Sequence, residues 1–305
     1  MSSKKQTVSF LRERFREVGF RPYAKHGQNF LIDLNLLDLL VRVADVNSSD
    51  VVLEVGAGTG SLTARIAERA AAVVTVEIDP HLAQLALEQL EGADNVTLLQ
   101  QDALRNKNNF SPIVIQTLQE KMAETGQTDF KLVANLPYSV ATPIISNLLN
   151  CEITPSSMTV TIQKELGERI VATPRTKDYS SLSVWIQSQC YAAIVREMAP
   201  SVFWPRPKVD SAIVQMVIDR LKRSQISDLG AFNQFIRGVF LHRRKFLRSA
   251  LVSSQKQLSK LEVDQIMQQL GFTAQTRAEE LVVEQLLSLW EAVANFPAEP
   301  PPVEK

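Results

Sequence analysis

Val51-Val52-Leu53-Glu54-Val55-Gly56-Ala57-Gly58-Thr59-Gly60 is a short apolar run broken by three alternate glycines. An apolar run of this length, ended by glycines, reads as a buried strand leading into a sharp turn. Ser61–Ala70 after it reads as a helix, and Ala72–Ile78 as a second strand. Pro80 suits the first turn of a helix that runs to Leu90. Val96–Gln100, Phe130–Ala134 and Met158–Ile162 read as three further strands. Short apolar strands alternating with helices predict an α/β fold, a mostly parallel sheet with helices on both faces. The intervening stretch Asn106–Asp129 carries one helical pattern, Ile113–Glu124, and is read as an insertion on the rim of the sheet.

Beyond Ile218 strand signals stop, and helical patterns follow one another from Leu229 to Asn295. The expected division is residues 1–220 as a ligand-binding α/β domain, 221–296 as a small all-helical domain, and 297–305 as a proline-rich disordered tail. No apolar stretch of about 18 residues is present, and the charged N-terminus lacks the apolar segment of a secretory signal. Cys151 and Cys190 are too few for a disulfide framework or a zinc site, and read as small buried hydrophobes. A cytoplasmic location with no metal is therefore expected; the oligomeric state is not encoded in these features, and a monomer is taken as the default. The net charge of +0 excludes a histone-like binder. Its distribution is uneven: residues 51–100 carry −5, residues 201–250 carry +7 and residues 1–30 carry +5. An acidic ligand domain joined to surfaces that face phosphate fits this asymmetry, as do ordinary solvated faces.

The glycine loop discriminates between two ligands. A dinucleotide fold wants G-x-G-x-x-G, its third glycine beside the helix that takes the pyrophosphate. Here Ser61 holds that place and the third glycine, Gly60, comes one residue early. An acid, Glu54, stands two residues before Gly56. This E-x-G-x-G-x-G spacing is the pattern of class I methyltransferases, whose ligand has an ammonium group and no pyrophosphate. A purely structural glycine turn stays open as the alternative. Glu54 is placed to orient the ammonium end, directly or through the loop. Glu77, at the end of the second strand, can accept both hydroxyls of an adenosine ribose. Asp102, after the third, can accept an exocyclic adenine amine. Three acid-bearing turns at successive strand ends share the edge where open α/β sheets bind ligands.

The fourth strand ends in Asn135-Leu136-Pro137-Tyr138. An exocyclic adenine amine is a poor nucleophile because its lone pair is delocalised into the ring. Acceptors aimed at its N–H bonds favour the tetrahedral geometry of attack and stabilise developing positive charge. The Asn135 side-chain oxygen and the Leu136 carbonyl, held extended ahead of Pro137, are the expected acceptors. Tyr138 offers a face for the adenine to stack on. A strand-ending turn is the alternative reading of the same tetrapeptide.

Two flanking segments carry a family resemblance. Lys25-His26-Gly27-Gln28-Asn29-Phe30-Leu31 resembles, in its G-Q-N-F-L part and the lysine just ahead of it, the entry motif of the ribosomal RNA adenine N6,N6-dimethyltransferases. Phe203-Trp204-Pro205-Arg206-Pro207-Lys208-Val209-Asp210-Ser211 resembles that family's F-x-P-x-P-K-V-D-S loop. The order of motifs from Lys25 to Leu251, and the helical end with Phe240-Leu241-His242-Arg243-Arg244-Lys245, are similar as well. The resemblance implies a Rossmann-like methyltransferase fold, with Asn29, Leu31, Gly56, Glu77, Asp102 and Asn135 contacting S-adenosylmethionine. It implies a substrate of two adjacent adenosines in a hairpin loop near the 3′ end of small-subunit (16S) rRNA, each dimethylated. Glu54, Gly58 and Gly60 join the cofactor set from the loop pattern. Tyr138, Phe203, Trp204, Arg206, Lys208, Arg243, Arg244, Lys245 and Arg248 form the expected RNA set. Three departures from the family pattern are Gln101 in place of glycine, His26 in place of an apolar residue, and the length of Asn106–Asp129. A large-subunit (23S) adenine dimethyltransferase and a non-catalytic ribosome-assembly or transcription factor on the same fold are the alternatives.

Overall fold

A computed structural model describes residues 7–22, 28–241 and 243–296. Lys25, His26 and Gly27 of the first motif, His242, and the tail expected at 297–305 lie outside the described residues. The chain divides into two compact units, residues 1–167 with 191–218, and residues 168–190 with 219–305. Residues 168–190 fall in the second unit although they precede residue 220 in the chain.

In the first unit, α1 (Val8–Glu17), β1 (Phe30–Leu31) and α2 (Leu34–Val43) precede the sheet. The alternation then runs β2 (Val51–Val55), α3 (Ser61–Ala67), β3 (Ala72–Glu77), α4 (Pro80–Gln89), β4 (Val96–Gln100). A small hairpin follows, β5 (Leu104–Asn106) with β6 (Asn109–Phe110), and then α5 (Pro112–Thr125), β7 (Lys131–Asn135), α6 (Ala141–Leu148), β8 (Ser157–Gln163) and α7 (Lys164–Val171). Every residue of β2 and β3 is buried, as a parallel strand covered on both faces must be. Pro80 sits at the start of α4, and the Asp79 side chain caps it by accepting from the His81 and Leu82 amides.

The seven-stranded sheet has the order β4-β3-β2-β7-β8-β11-β9, with β9 (Cys190–Met198) and β11 (Ser211–Ile218) completing one side. The pairs β3–β4, β2–β3, β2–β7 and β7–β8 are parallel, and β8–β11 is antiparallel. The chain thus winds outward from β2 through β3 to β4, then returns to start β7 on the opposite side of β2. The C-terminal ends of β2 and β7 flank that reversal, the place where open α/β sheets leave a crevice. Outside the sheet, β10 (Phe203–Trp204) pairs antiparallel with β1, Phe30 opposite Trp204 and Leu31 opposite Phe203. The two motifs at opposite ends of the unit are so joined by backbone.

α5 corrects one expectation. It is not rim: Val114, Leu118 and Met122, spaced four apart, are buried, and the helix packs on β2 and β3. It is the crossover that carries the chain from β4 back to β7. Its ends are set by Pro112 in the first turn and by Gly126, left-handed at φ 70°, after the last.

The second unit is helical: α8 (Ser181–Gln187), α9 (Arg220–Ser224), α10 (Leu229–Phe240), α11 (Leu247–Ser254), α12 (Lys260–Gln269) and α13 (Val283–Ala294). Phe232 lies between Trp185 and Trp290, with ring centroids 6.4 and 6.2 Å away, and Phe235 meets Trp290 at 5.5 Å. Tyr179 Oη donates to the Leu281 carbonyl at 2.9 Å, a partner that its full burial requires.

Leu118→Ala is expected to lower unfolding free energy by about 2–4 kcal/mol in urea denaturation, whereas Gln119→Ala, on the exposed side of α5, leaves it within about 0.5 kcal/mol. Equal small effects would return α5 to the rim.

Candidate active site

The glycine turn is held from the neighbouring strand. The amides of Gly56 and Ala57 donate to the Val76 carbonyl at 2.8 and 3.2 Å. The Glu77 carboxylate accepts from the Gly58 amide at 2.9 Å with one oxygen and from the Asp79 amide at 3.0 Å with the other. Gly58 has φ 57°, and a Cβ there would lie 3.3 Å from the Phe30 ring. Gly60 has φ 78°, and a Cβ there would lie 3.1 Å from Ala86 Cα on α4. The first closeness brings Phe30 onto the turn; the second lets α3 start against α4.

Above this turn lies a cavity of ≈ 540 Å³. Asn29 and Leu31, from the first motif, line it together with Glu54, Gly56 and Gly58 of the turn. Glu77, Asp102 and Asn135 line it from the ends of three other strands. Gly60 is not on its wall and serves helix packing instead. Leu136 and Tyr138 are not on it either, while Pro137 is.

Each acid has a distinct setting. Glu54 is 1% exposed and accepts from the Thr63 hydroxyl and, at 2.7 Å, from the Thr75 hydroxyl. Burial pushes its pKa up to about 8 against those two donors. Burial also raises the Glu77 carboxyl, opposed by the backbone amides that it accepts. Asp102 is exposed and accepts from the Leu104 amide at 2.8 Å, an Asx turn that sets its direction. Gln101, the departure from the glycine pattern, donates to Ser111 Oγ at 3.2 Å and leaves Asp102 at the wall.

Asn135 closes β7, and its Nδ2 donates to the Asn29 carbonyl at 3.0 Å. That bond commits the nitrogen and leaves Oδ1 as the acceptor of the amide. The Leu136 amide donates to the Thr161 carbonyl at 3.2 Å, fixing the plane of the turn ahead of Pro137. Tyr138 is half-buried, and its Oη lies 2.6 Å from Ser211 Oγ.

The expected RNA residues divide. Arg206 and Lys208 are exposed in the first unit; Arg244 and Lys245 are exposed in the second. Phe203 is 2% exposed and packs with Leu31, Leu37 and Ile213, so the structure places it in the core rather than at the surface. Trp204 stacks on Phe15 at 5.6 Å with an interplanar angle of 28°, under the Arg12 guanidinium at 5.7 Å. Arg243 donates to the carbonyls of Lys177 and Tyr179 at 2.6 and 2.9 Å, tying its own unit together. Arg248 forks onto Asp264, one arm at 2.7 Å.

Sequence reasoning missed Thr63, Thr75, Ile78 and Ser211. Thr75 was detectable as the one hydroxyl in the strand Ala72–Glu77. Ile78 lines the cavity while 62% exposed, an apolar face beside Glu77. Ser211 closes the proline-loop motif, but nothing local marks its partner Tyr138, which is distant in sequence. Neither disulfide nor metal-binding cluster occurs among the described residues, and Cys190 is buried with its thiol pushed up to about 12.

Three comparisons bear on this site. A family model described as Ribosomal RNA adenine dimethylase matches residues 20–295. A Ribosomal RNA small subunit methyltransferase A of Clostridium acetobutylicum is 37% identical over 92% of this chain and 97% of its own. One from Lachnoclostridium phytofermentans is 36% identical over 96% and 97%. Among solved structures, a dimethyladenosine transferase from Plasmodium falciparum covers 84% of this chain and 94% of its own, with a TM-score of 0.69 at 24% identity. The 23S rRNA methyltransferase ErmE covers 87% and 100%, with a TM-score of 0.61 at 24% identity. Those two likenesses concern the fold.

The folded state holds the Glu54 proton more tightly than the unfolded chain does. The stability this contributes is complete below the ordinary value of 4.5 and is lost as pH rises through about 8. Wild type is therefore expected to lose stability relative to Glu54→Gln as pH rises across that window, read by chemical denaturation. A pH-independent difference between the two proteins would contradict the setting described for Glu54.

Proposed function

The chain belongs to the ribosomal RNA adenine dimethylase family, and from that premise we propose that it methylates two adjacent adenosines of small-subunit rRNA at N6, twice each, using S-adenosylmethionine. It is an rRNA adenine dimethyltransferase with a mostly parallel, Rossmann-like sheet. The small subunit as the target rests on the relatives that carry that name over nearly their full length. Their bacterial ribosomal substrate goes with a cytoplasmic location, and no helix among the described residues is long and apolar enough to cross a membrane. We take the working species to be a monomer.

The observation that carries the reading is the convergence of Glu77, Asp102 and Asn135 on one cavity, beside a turn whose glycines admit close approach. Their chemistry fits the cofactor. Glu77, already aligned by two amides, has lone pairs left for a ribose. Asp102 would accept the adenine amine while Ile78 offers the ring an apolar face. Glu54, under the turn and bonded to two threonines, acts on the ligand through the loop. S-adenosylmethionine supplies an electrophilic methyl on sulfur; the departing sulfur becomes a thioether.

The chain's own residues do the rest. Asn135 Oδ1 and the Leu136 carbonyl accept the two N–H bonds of the target amine and turn its lone pair toward the methyl. No general base of shifted pKa is required, since the amine proton becomes acidic once the methyl is transferred, and positioning supplies the rate. The target base stacks on Tyr138. A loop base enters such a site cheaply, because it has few stacking partners to lose. Arg206 and Lys208 in one unit, and Arg244 and Lys245 in the other, are the cations we assign to the RNA backbone. The helical unit is thereby an RNA-binding unit.

Asn135→Ala is expected to lower kcat for methyl transfer to undermethylated small ribosomal subunits by about 100-fold or more, as removal of one preorganised polar partner does. Its circular dichroism should match wild type. Retention of full activity would remove Asn135 from the reaction, and retained RNA binding with no methylation by wild type would favour a non-catalytic assembly factor.

A further inference from the structure

The contact between Tyr138 and Ser211 joins two motifs across the sheet. Tyr138 follows β7, whose last residue Asn135 is in register with Thr161 of β8. Ser211 opens β11, in register with Gln163 at the same, C-terminal end of β8. A single hydrogen bond of 2.6 Å therefore reaches over β8, from the turn that receives the base to the loop that bears Arg206 and Lys208. Ser211 cannot drift: it is 0% exposed, and the preceding Asp210 carbonyl accepts from the Lys164 amide at 2.9 Å. Burial raises the Tyr138 phenol above its usual value, so the group stays neutral and keeps a proton to share.

We propose that Ser211 is a positioning residue, which fixes the ring angle of Tyr138 and so determines whether a monomethylated adenosine goes on to receive its second methyl. The proposal rests on the reading that Tyr138 carries the stacked target base. After the first transfer, the N6 nitrogen bears one methyl and one hydrogen. The new methyl must rotate away and the remaining N–H must meet an acceptor, while the stack alone keeps the base in place. A tyrosine ring free to swing costs that second alignment more than the first, in which two accepted N–H bonds help to hold the amine. The step itself is unchanged: an N–C bond forms, the C–S bond breaks, and the second amine proton leaves to water.

The test uses wild type, Ser211→Ala, Tyr138→Phe and the double variant on undermethylated small ribosomal subunits, with monomethyl- and dimethyladenosine separated by mass. Each single variant is expected to raise the ratio of monomethyl to dimethyl product about fivefold and to lower kcat by a similar factor, the worth of one hydrogen bond. The KM for S-adenosylmethionine stays as in wild type, because neither residue lines the cofactor cavity. The double variant should be no worse than either single one. A wild-type product ratio from Ser211→Ala, or losses that multiply in the double variant, overturns the proposal. Should Ser211→Ala lose its cooperative melting transition, Tyr138→Phe, which keeps the ring and removes only the hydroxyl, decides alone, and a wild-type ratio from it overturns the proposal. Absence of methylated adenosine from wild type would defeat the functional reading itself, and this inference with it.

Discussion

Parallel neighbours on both sides of β2, reached by chains that leave in opposite directions, force a crevice at its C-terminal end. Every feature of the site depends on that reversal. The turn after β2 supplies the glycines, the end of β3 supplies Glu77, and the end of β7 on the far side supplies Asn135. A crossover helix is required to bring the chain back from β4 to β7, and α5 is that helix. Its buried residues are thus part of the active site's foundation, although none of them touches the cavity.

The crevice is stiffened by hydrogen bonds that run between motifs rather than within them. Glu77 holds the glycine turn, Asn135 holds Asn29, and the pairing of β1 with β10 holds the first motif against the proline loop. Glu54 contributes differently. It is buried with two hydroxyl donors and close enough to Glu77 to feel its charge, so its protonated form is favoured. A neutral Glu54 leaves Glu77 as the principal negative charge on the turn, which suits a cationic ligand.

Much of this was legible in the sequence where signals are local. β2 begins and ends where the run Val51–Val55 does, because a strand buried on both faces is mostly apolar; the half-buried edge strand β4 likewise matches Val96–Gln100. The acids and Asn135 could be placed at strand ends for the same reason. What failed was long-range. α5 looked like an insertion because its amphipathic stripe is modest and its target strands precede it by many residues. Phe203 stood in the expected RNA set, since nothing nearby reveals that it is buried in one cluster with Leu37. Arg243 and Arg248 stand in the expected RNA set by charge, and charge alone does not disclose their partners within the protein, backbone carbonyls and Asp264 from other segments of the helical unit. Ser211 illustrates the same limit: its role follows from a contact across two strand pairings, which no spacing discloses.

On the proposed function, this cavity and the Asn135 turn together dimethylate adenosine in small-subunit RNA. The most direct measurement supplies wild-type protein and labelled S-adenosylmethionine to undermethylated small and large ribosomal subunits separately, digests each RNA, and identifies the labelled nucleosides by mass. N6,N6-dimethyladenosine is expected from small-subunit RNA, at a pair of adjacent positions in one hairpin loop, and none from large-subunit RNA. Label found in large-subunit adenosine, or in any nucleoside other than methylated adenosine, would contradict it.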